Sequence, residues 1–323
     1  MSGRHGRRDP SRLPSPAAAL AAAFLLAVVV SIVVFKLAHH PAGGARPAAN
    51  GSQAPSEAAA RPSSTAVASV TATPAAARSP FNAATASFLD GRSGTVLAAV
   101  YDLRTNQTWT IGTGPPQDEA SVVKLDILET LLAQRSKTGA TLSASDSALA
   151  RSMIEDSSND SATSLWDAVG GGTGIGSFNA AAGLTRTTPS SCVQCANFPW
   201  PGWGLTTTVP ADQLALLREI VQPGQLLTRA QQSYALGLME NVTSSQRWGV
   251  SGGVPSAVTV ALKNGWLPLN TAETDWQVNS VGWVSGQGRD YLVAVLTTGD
   301  ATEQYGIDTI SGLSALLWQH LRP

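Results

Sequence analysis

Near its start the chain carries a run with no polar alternation: Ala17 to Phe35 reads AAALAAAFLLAVVVSIVVF, without a single charge. At about 1.5 Å of rise per residue, such a run approximately spans a hydrocarbon core of about 30 Å. From Pro41 to about Arg78 the residues are mainly Ala, Pro, Ser, Thr and Gly, with almost no large apolar side chain. That composition buries too little surface to offset the entropy of ordering, so the segment reads as a tether. Periodic patterning begins near Phe81. A short helical stretch to Leu89 precedes TVLAAVYDLRTNQTWTIG, two β-rich runs joined by a turn at Arg104-Thr105-Asn106-Gln107. Between Ser121 and Leu217 the pattern is helical: VVKLDILETLLAQ, SDSALARSMIEDS, SATSLWDAV and ADQLALLREIV place apolar residues three and four apart. VTVALKNGWL, WQVNSVGWVS and DYLVAVLTTG then read as strands, and DTISGLSALLWQHL as a closing amphipathic helix. Two strands, a helical insertion, three strands and a terminal helix predict a mixed α/β (α+β) domain, a sheet carrying helices plus an all-helical lobe. A cleft between the lobes is the expected site.

Charge sets the orientation of the apolar run. Arg4, Arg7, Arg8 and Arg12 precede it, whereas only Lys36 and two histidines follow closely, so the positive-inside bias places the N-terminus in the cytoplasm. The expected organisation is a cytoplasmic segment over 1–16, a single-pass signal anchor over 17–38, a tether over 39–79 and a folded domain over 80–323. The helical lobe covers about 121–235 of that domain. A cleaved signal peptide is the competing reading, since GARPAAN offers small residues to a peptidase, although apolar regions of that kind typically run roughly 7 to 15 residues. Either way the domain is extracytoplasmic. The net charge of −1 and the scattered arginines and lysines of the domain exclude a surface that tracks phosphates, so no nucleic-acid partner is expected.

Histidine usage narrows the chemistry. The four histidines are His5, His39, His40 and His320, so the folded region has none before its last few residues. A Ser-His-Asp or Cys-His arrangement therefore lacks its base, and neither a metal site nor a cofactor is expected. Lysine is the remaining base, and the exported domain has only Lys124, Lys137 and Lys263. Arginine stays protonated, whereas a lysine desolvated beside another cation can lose its proton near neutral pH. Ser121-Val122-Val123-Lys124 opens the most apolar helix with the i, i+3 spacing that brings the two side chains onto one face.

With Ser121 and Lys124 as S-x-x-K, Ser157-Ser158-Asn159 as the second element and Lys263-Asn264-Gly265 on a strand as the third, the chain resembles the class A β-lactamases and penicillin-recognising serine hydrolases. The literal Lys137-Thr138-Gly139 lies between two helices and reads as a helix stop. The resemblance runs from about Phe81 to the C-terminus and implies a five-stranded antiparallel sheet flanked by helices. It implies Ser121 as the acylated nucleophile and Lys124 as its base, with Ser157 relaying a proton to the leaving nitrogen. Asn159, Lys263, Asn264 and Gly265 fall at its substrate-binding positions, and the N–H groups of Ser121 and Trp266 form the oxyanion hole. Ser158 stands where the family has a largely structural Asp, and the run ends in register at Gly170-Gly171.

Two departures matter. From Gly170 to Ala211 there is neither Asp nor Glu, whereas class A enzymes carry there the acid that activates the deacylating water. In its place stand Cys192-Val193-Gln194-Cys195 and the loop Phe198-Pro199-Trp200-Pro201-Gly202-Trp203. The cysteines admit a disulfide, a redox pair or a metal site, and an exported domain favours the disulfide. Three functions remain open: a hydrolase of β-lactams with slow release of the acyl-enzyme, a D,D-peptidase or transpeptidase acting on peptidoglycan stem peptides, and a non-catalytic binding module.

Overall fold

A computed structural model of the protein describes residues 78–322, apart from 197 and 225. The expected cytoplasmic segment, the apolar run and nearly all of the tether lie outside the described residues, among which no helix is long and apolar enough to cross a membrane.

The domain begins with helix α1 (Ala83–Asp90), closed by a reciprocal cap between Asn82 and Thr85. The hairpin β1 (Thr95–Asp102) and β2 (Gln107–Ile111) follows. Its turn occupies Leu103 to Asn106, one residue earlier than the sequence suggested, because Asn106 takes the left-handed conformation at φ 56°. A two-residue strand, β3 (Gln117–Asp118), leads into a 3-10 turn at Ala120–Val123 and then helix α2 (Lys124–Lys137). Next come α3 (Ala144–Glu155), α4 (Asn159–Ala168) and α5 (Gly171–Ala181), then β4 (Thr207–Thr208), α6 (Pro210–Val221) and α7 (Arg229–Glu240). The chain closes with β5 (Thr259–Pro268), β6 (Trp276–Gly286), β7 (Arg289–Asp300) and α8 (Glu303–His320).

The main sheet has five strands in the order β2-β1-β7-β6-β5, every pairing antiparallel, as the resemblance implied. Both of its faces are covered, so alternate residues enter different cores. Ala261, Val281, Leu292 and Ala294 pack with the helical lobe, whereas Val260, Leu262, Val293 and Val295 pack with Ile310, Leu313 and Leu317 of α8. Double coverage is why β1 and β7 read as unbroken apolar runs.

Three features leave little trace in the periodic pattern. Helix α5, GGTGIGSFNAA, has poor helix propensity and forms because tertiary packing demands it: a Cβ at Gly172 would stand 2.4 Å from the carbonyl oxygen of Ser190. The β3–β4 ladder is two residues long and gives no periodic signal. Helix α2 is buried at every residue from Lys124 to Ala133, its polar positions included, because neighbouring elements enclose it on all sides.

That enclosure buries three acids with α2: Glu119, Asp126 and Glu129 are all fully buried. Burial, and after it the charge of Asp126, pushes the Glu119 carboxyl well above the usual range, and burial raises Asp126 to about 7. Glu129 has no hydrogen-bond partner for either oxygen, and burial followed by the charges of Asp126 and Glu219 holds its proton on. A raised carboxyl pKa means that the folded chain retains a proton the unfolded chain releases above roughly pH 4.3, so stability falls as pH rises through that window. Glu129→Gln should therefore be more stable than the parent by about 1 kcal/mol or more near pH 8, with a smaller difference at pH 5. Urea melts of both proteins at the two pH values measure this, and identical pH slopes would refute it.

Candidate active site

The nucleophile turn is built from β3 inward. The Glu119 N–H donates to the Thr206 carbonyl at 2.7 Å, Ala120 then adopts a left-handed backbone at φ 50°, and Ser121 follows on the 3-10 turn. Residues three apart eclipse one another in a 3-10 turn, which stacks Ser121 over Lys124 at the start of α2. Lys124 Nζ lies 2.9 Å from Ser121 Oγ.

The loop from α3 to α4 supplies the second wall. Ser157 is also left-handed, at φ 57°, and Ser158 caps α4 by accepting from the Ser161 N–H at 3.2 Å. The cap turns Ser158 away and leaves Ser157 and Asn159 facing Lys124. Lys124 Nζ is 2.6 Å from the Ser157 carbonyl oxygen, 3.0 Å from Ser157 Oγ and 2.8 Å from Asn159 Oδ1.

Strand β5 supplies the third. Lys263 Nζ donates to Ser157 Oγ at 3.0 Å and to the Asn264 carbonyl at 2.8 Å. Gly265 presses on the nucleophile turn so closely that a Cβ would stand 2.7 Å from both the Glu119 carbonyl oxygen and the Ser121 nitrogen. Trp266 lines the same small pocket as Ser121 and Asn159. The structure thus brings Ser121, Lys124, Ser157, Asn159, Lys263, Gly265 and Trp266 together.

Asn264 departs from the expected substrate contact. The pleat turns its side chain to the opposite face, where Nδ2 donates to the Gln246 carbonyl at 2.7 Å and Oδ1 accepts from Ser280 Oγ at 2.6 Å. Its amide is committed to these partners on the far face, so it braces the strand from behind. Lys137-Thr138-Gly139 ends α2, with Thr138 as the cap and Gly139 left-handed, as the helix-stop reading required.

The electrostatics are unusual. Two fully buried lysines converge on one hydroxyl, and among the described residues neither has a carboxylate partner. Burial, and after it the Lys263 cation, lowers the Lys124 amine to about 6, and burial lowers Lys263 to about 7. Hydrogen-bond counting agrees for Lys124. The Ser157 carbonyl and Asn159 Oδ1 only accept, so they take the two N–H groups of a neutral amine and leave its lone pair for a hydroxyl.

Sequence reasoning left the aromatic loop unassigned, and the structure makes it a wall of the site. Phe198, Trp200, Pro201 and Trp203 line the pocket above Ser121, in which no acidic side chain appears. The Trp203 ring lies 5.0 Å from Lys124 Nζ, and its Nε1 donates to Thr163 Oγ1 at 3.0 Å. Cys192 and Cys195 form a disulfide at the base of this loop. Asn279, a buried polar residue on β6, contacts the nucleophile turn. The signals for these residues were faint: Trp and Pro clustered after a cysteine pair, and two amides, Gln277 and Asn279, in a β-rich strand.

Residues 132–321 match the beta-lactamase enzyme family, and the chain belongs to it. The matched span begins beyond Ser121 and Lys124, whose pairing rests on the geometry above. No curated protein matches the chain. Among solved structures, the TLA-1 extended-spectrum β-lactamase superposes with a TM-score of 0.65 at 16% identity, over 74% of this chain and 97% of that one. A class A β-lactamase representative from Bacteroides cellulosilyticus gives 0.64 at 18% identity, covering 76% and 99%. The class A β-lactamase from Mycobacterium abscessus gives 0.58 at 20%, covering 73% and 97%. These likenesses establish the β-lactamase fold.

Because the Glu119 carbonyl and the Ser121 N–H are backbone groups with no room to retreat, Gly265→Ala should displace the nucleophile turn. The expected outcome is a loss of about 1–3 kcal/mol in stability, with much slower labelling of Ser121 by a fluorophosphonate. Unchanged labelling would show that the strand and turn are not pressed together as described.

Proposed function

We propose that this protein is an acyl-serine hydrolase of the β-lactamase type that reacts with β-lactams or related amides through Ser121, and that its acyl-enzyme is released slowly. The observation that carries the reading is the fully buried Lys124 amine, without a carboxylate partner among the described residues, held 2.9 Å from Ser121 Oγ by two obligate acceptors. In this reading Lys124 takes the Ser121 proton as the oxygen attacks the substrate carbonyl. The N–H groups of Ser121 and Trp266 receive the developing oxyanion. Ser157 Oγ, hydrogen-bonded to both lysines, passes a proton to the leaving nitrogen. The Lys263 cation attracts the substrate carboxylate, and Asn159 holds the amide. Asn264 acts only from behind.

Slow release is supported by the wall above Ser121. The pocket is lined by Phe198, Trp200 and Trp203 and offers no carboxylate to activate water. General-base assistance is worth typically 10²- to 10⁴-fold, so its absence lengthens the acyl-enzyme lifetime accordingly. Incubation with penicillin followed by intact-mass analysis should give a single adduct that persists for minutes or longer. Ser121→Ala should abolish it. Rapid loss of the adduct would overturn the slow-release reading, and no adduct on the parent protein would overturn the function.

The pH dependence follows from the two lysines. Acylation needs Lys124 neutral and so rises as pH climbs through about 6, and it needs Lys263 charged and so falls above about 7. The coupled pair should give a narrow bell with its maximum between those values. A rate still rising at pH 9 would show that no base titrating near 6 drives acylation and would overturn the lowered Lys124 amine.

We further infer that the domain works outside the cytoplasm, tethered by a membrane-spanning segment. The uncharged run from Ala17 to Phe35, the arginines before it and the Cys192–Cys195 disulfide support this.

A further inference from the structure

The nucleophile turn stands on backbone that resists its own conformation. Ala120 has a Cβ and nevertheless sits at φ 50°, where non-glycine residues are strained and persist only when their surroundings over-determine them. Strand β3, which leads into the turn, pairs with β4 and takes no place in the main sheet, so no backbone ladder ties it to β5 or β6. Side-chain amides do so instead. Both N–H groups of the Asn279 amide are used, one on the Asp118 carbonyl at 2.8 Å and one on the Glu119 carbonyl at 3.0 Å. Its Oδ1 accepts from Gln277 Nε2 at 2.8 Å, and the same Nε2 donates to Gln117 Oε1 on β3 at 3.0 Å.

Only one orientation of Asn279 satisfies this network, because two carbonyls demand the NH₂ group and a donor demands the oxygen. Asn279 is fully buried, Gln277 is nearly so, and Asn279 stands opposite Gly265 in the β5–β6 register. The two positions have complementary roles. The missing side chain at Gly265 lets the turn approach the sheet, and the Asn279 amide holds the two carbonyls that precede Ala120. Glu119 is also anchored on its other side by its N–H bond to the Thr206 carbonyl.

We propose that Asn279, oriented by Gln277, is a positioning residue for the nucleophile: it holds the left-handed turn at Ala120 that presents Ser121 to Lys124. It touches neither substrate nor the reacting atoms, and a buried polar group fully satisfied by backbone carbonyls is suited to fixing one geometry. The inference rests on the reading of Ser121 as nucleophile.

The test is a double-mutant cycle in the full-length chain. Asn279→Asp keeps the shape and removes both donors, and Ala120→Gly removes the penalty for the left-handed backbone. Ser121 modification by a fluorophosphonate, which needs no β-lactam recognition, and by penicillin is followed by intact mass. With Ala at position 120, Asn279→Asp should slow both reactions by about tenfold to a hundredfold. In the Ala120→Gly background the loss should shrink to about threefold or less, because glycine keeps the turn without the clamp. Should Asn279→Asp fail to fold, Gln277→Met frees the amide more gently and should give a smaller loss, relieved in the same way. An equal loss in both backgrounds, or no loss in either, overturns the proposal. If the fluorophosphonate follows the cycle while penicillin labels no variant, the positioning role stands and the β-lactam reading falls.

Discussion

A lysine amine enclosed in protein without a counter-ion is the constraint on which this site depends. An ammonium buried without a carboxylate is expensive, and proteins usually meet that cost by pairing the charge or giving up the proton. The surroundings of Lys124 take the second course. Its neighbours are a carbonyl, an amide oxygen and two hydroxyls, with a second buried lysine beyond. The absence of a loop carboxylate therefore acts on both halves of the proposed reaction. It removes an anion that would stabilise the charged amine, which favours attack, and it removes a base for water, which hinders release.

Holding such a group requires the scaffold around α2. The helix is enclosed along ten consecutive residues, and enclosure that desolvates Lys124 also buries Glu119, Asp126 and Glu129. The carboxyl groups answer burial as Lys124 does, by favouring their neutral forms: all three are raised above the usual carboxylate range. Two left-handed residues, Ala120 and Ser157, sit at the turns that aim side chains at the amine. Each is held by several bonds at once: the turn at Ala120 by Asn279, Thr206 and the contact with Gly265, and Ser157 by both lysines. Strain of this kind survives where the fold over-determines it.

Much of the domain was legible because burial writes itself periodically. Strands covered on both faces appear as unbroken apolar runs, and α3, α4 and α6 show their spacing. The Ser121–Lys124 pair was legible because its i, i+3 spacing puts both side chains on one face, and Ser157 and Asn159 through the family resemblance and its register with Gly170-Gly171. What escaped was set by contacts distant in sequence. Helix α5 is rich in glycine and forms where the Pro189–Ser190 segment leaves no room for side chains. The β3–β4 ladder exists because the sheet and the lobe bring two extended dipeptides together.

The lack of histidine in the folded region before its last few residues, the rarity of lysine and the order of three short motifs are properties of the sequence, and they are what points to the proposed serine activated by a lysine. Which way each side chain points is a tertiary matter. Lys263 and Asn264 are adjacent, yet the pleat sends one to Ser157 and the other to Ser280 on the far face. The tryptophan loop could be recognised as a segment but not as the roof of the site. Desolvation, too, belongs to the fold: Lys124 and Lys137 open and close one helix, and the fold buries the first completely and leaves the second exposed.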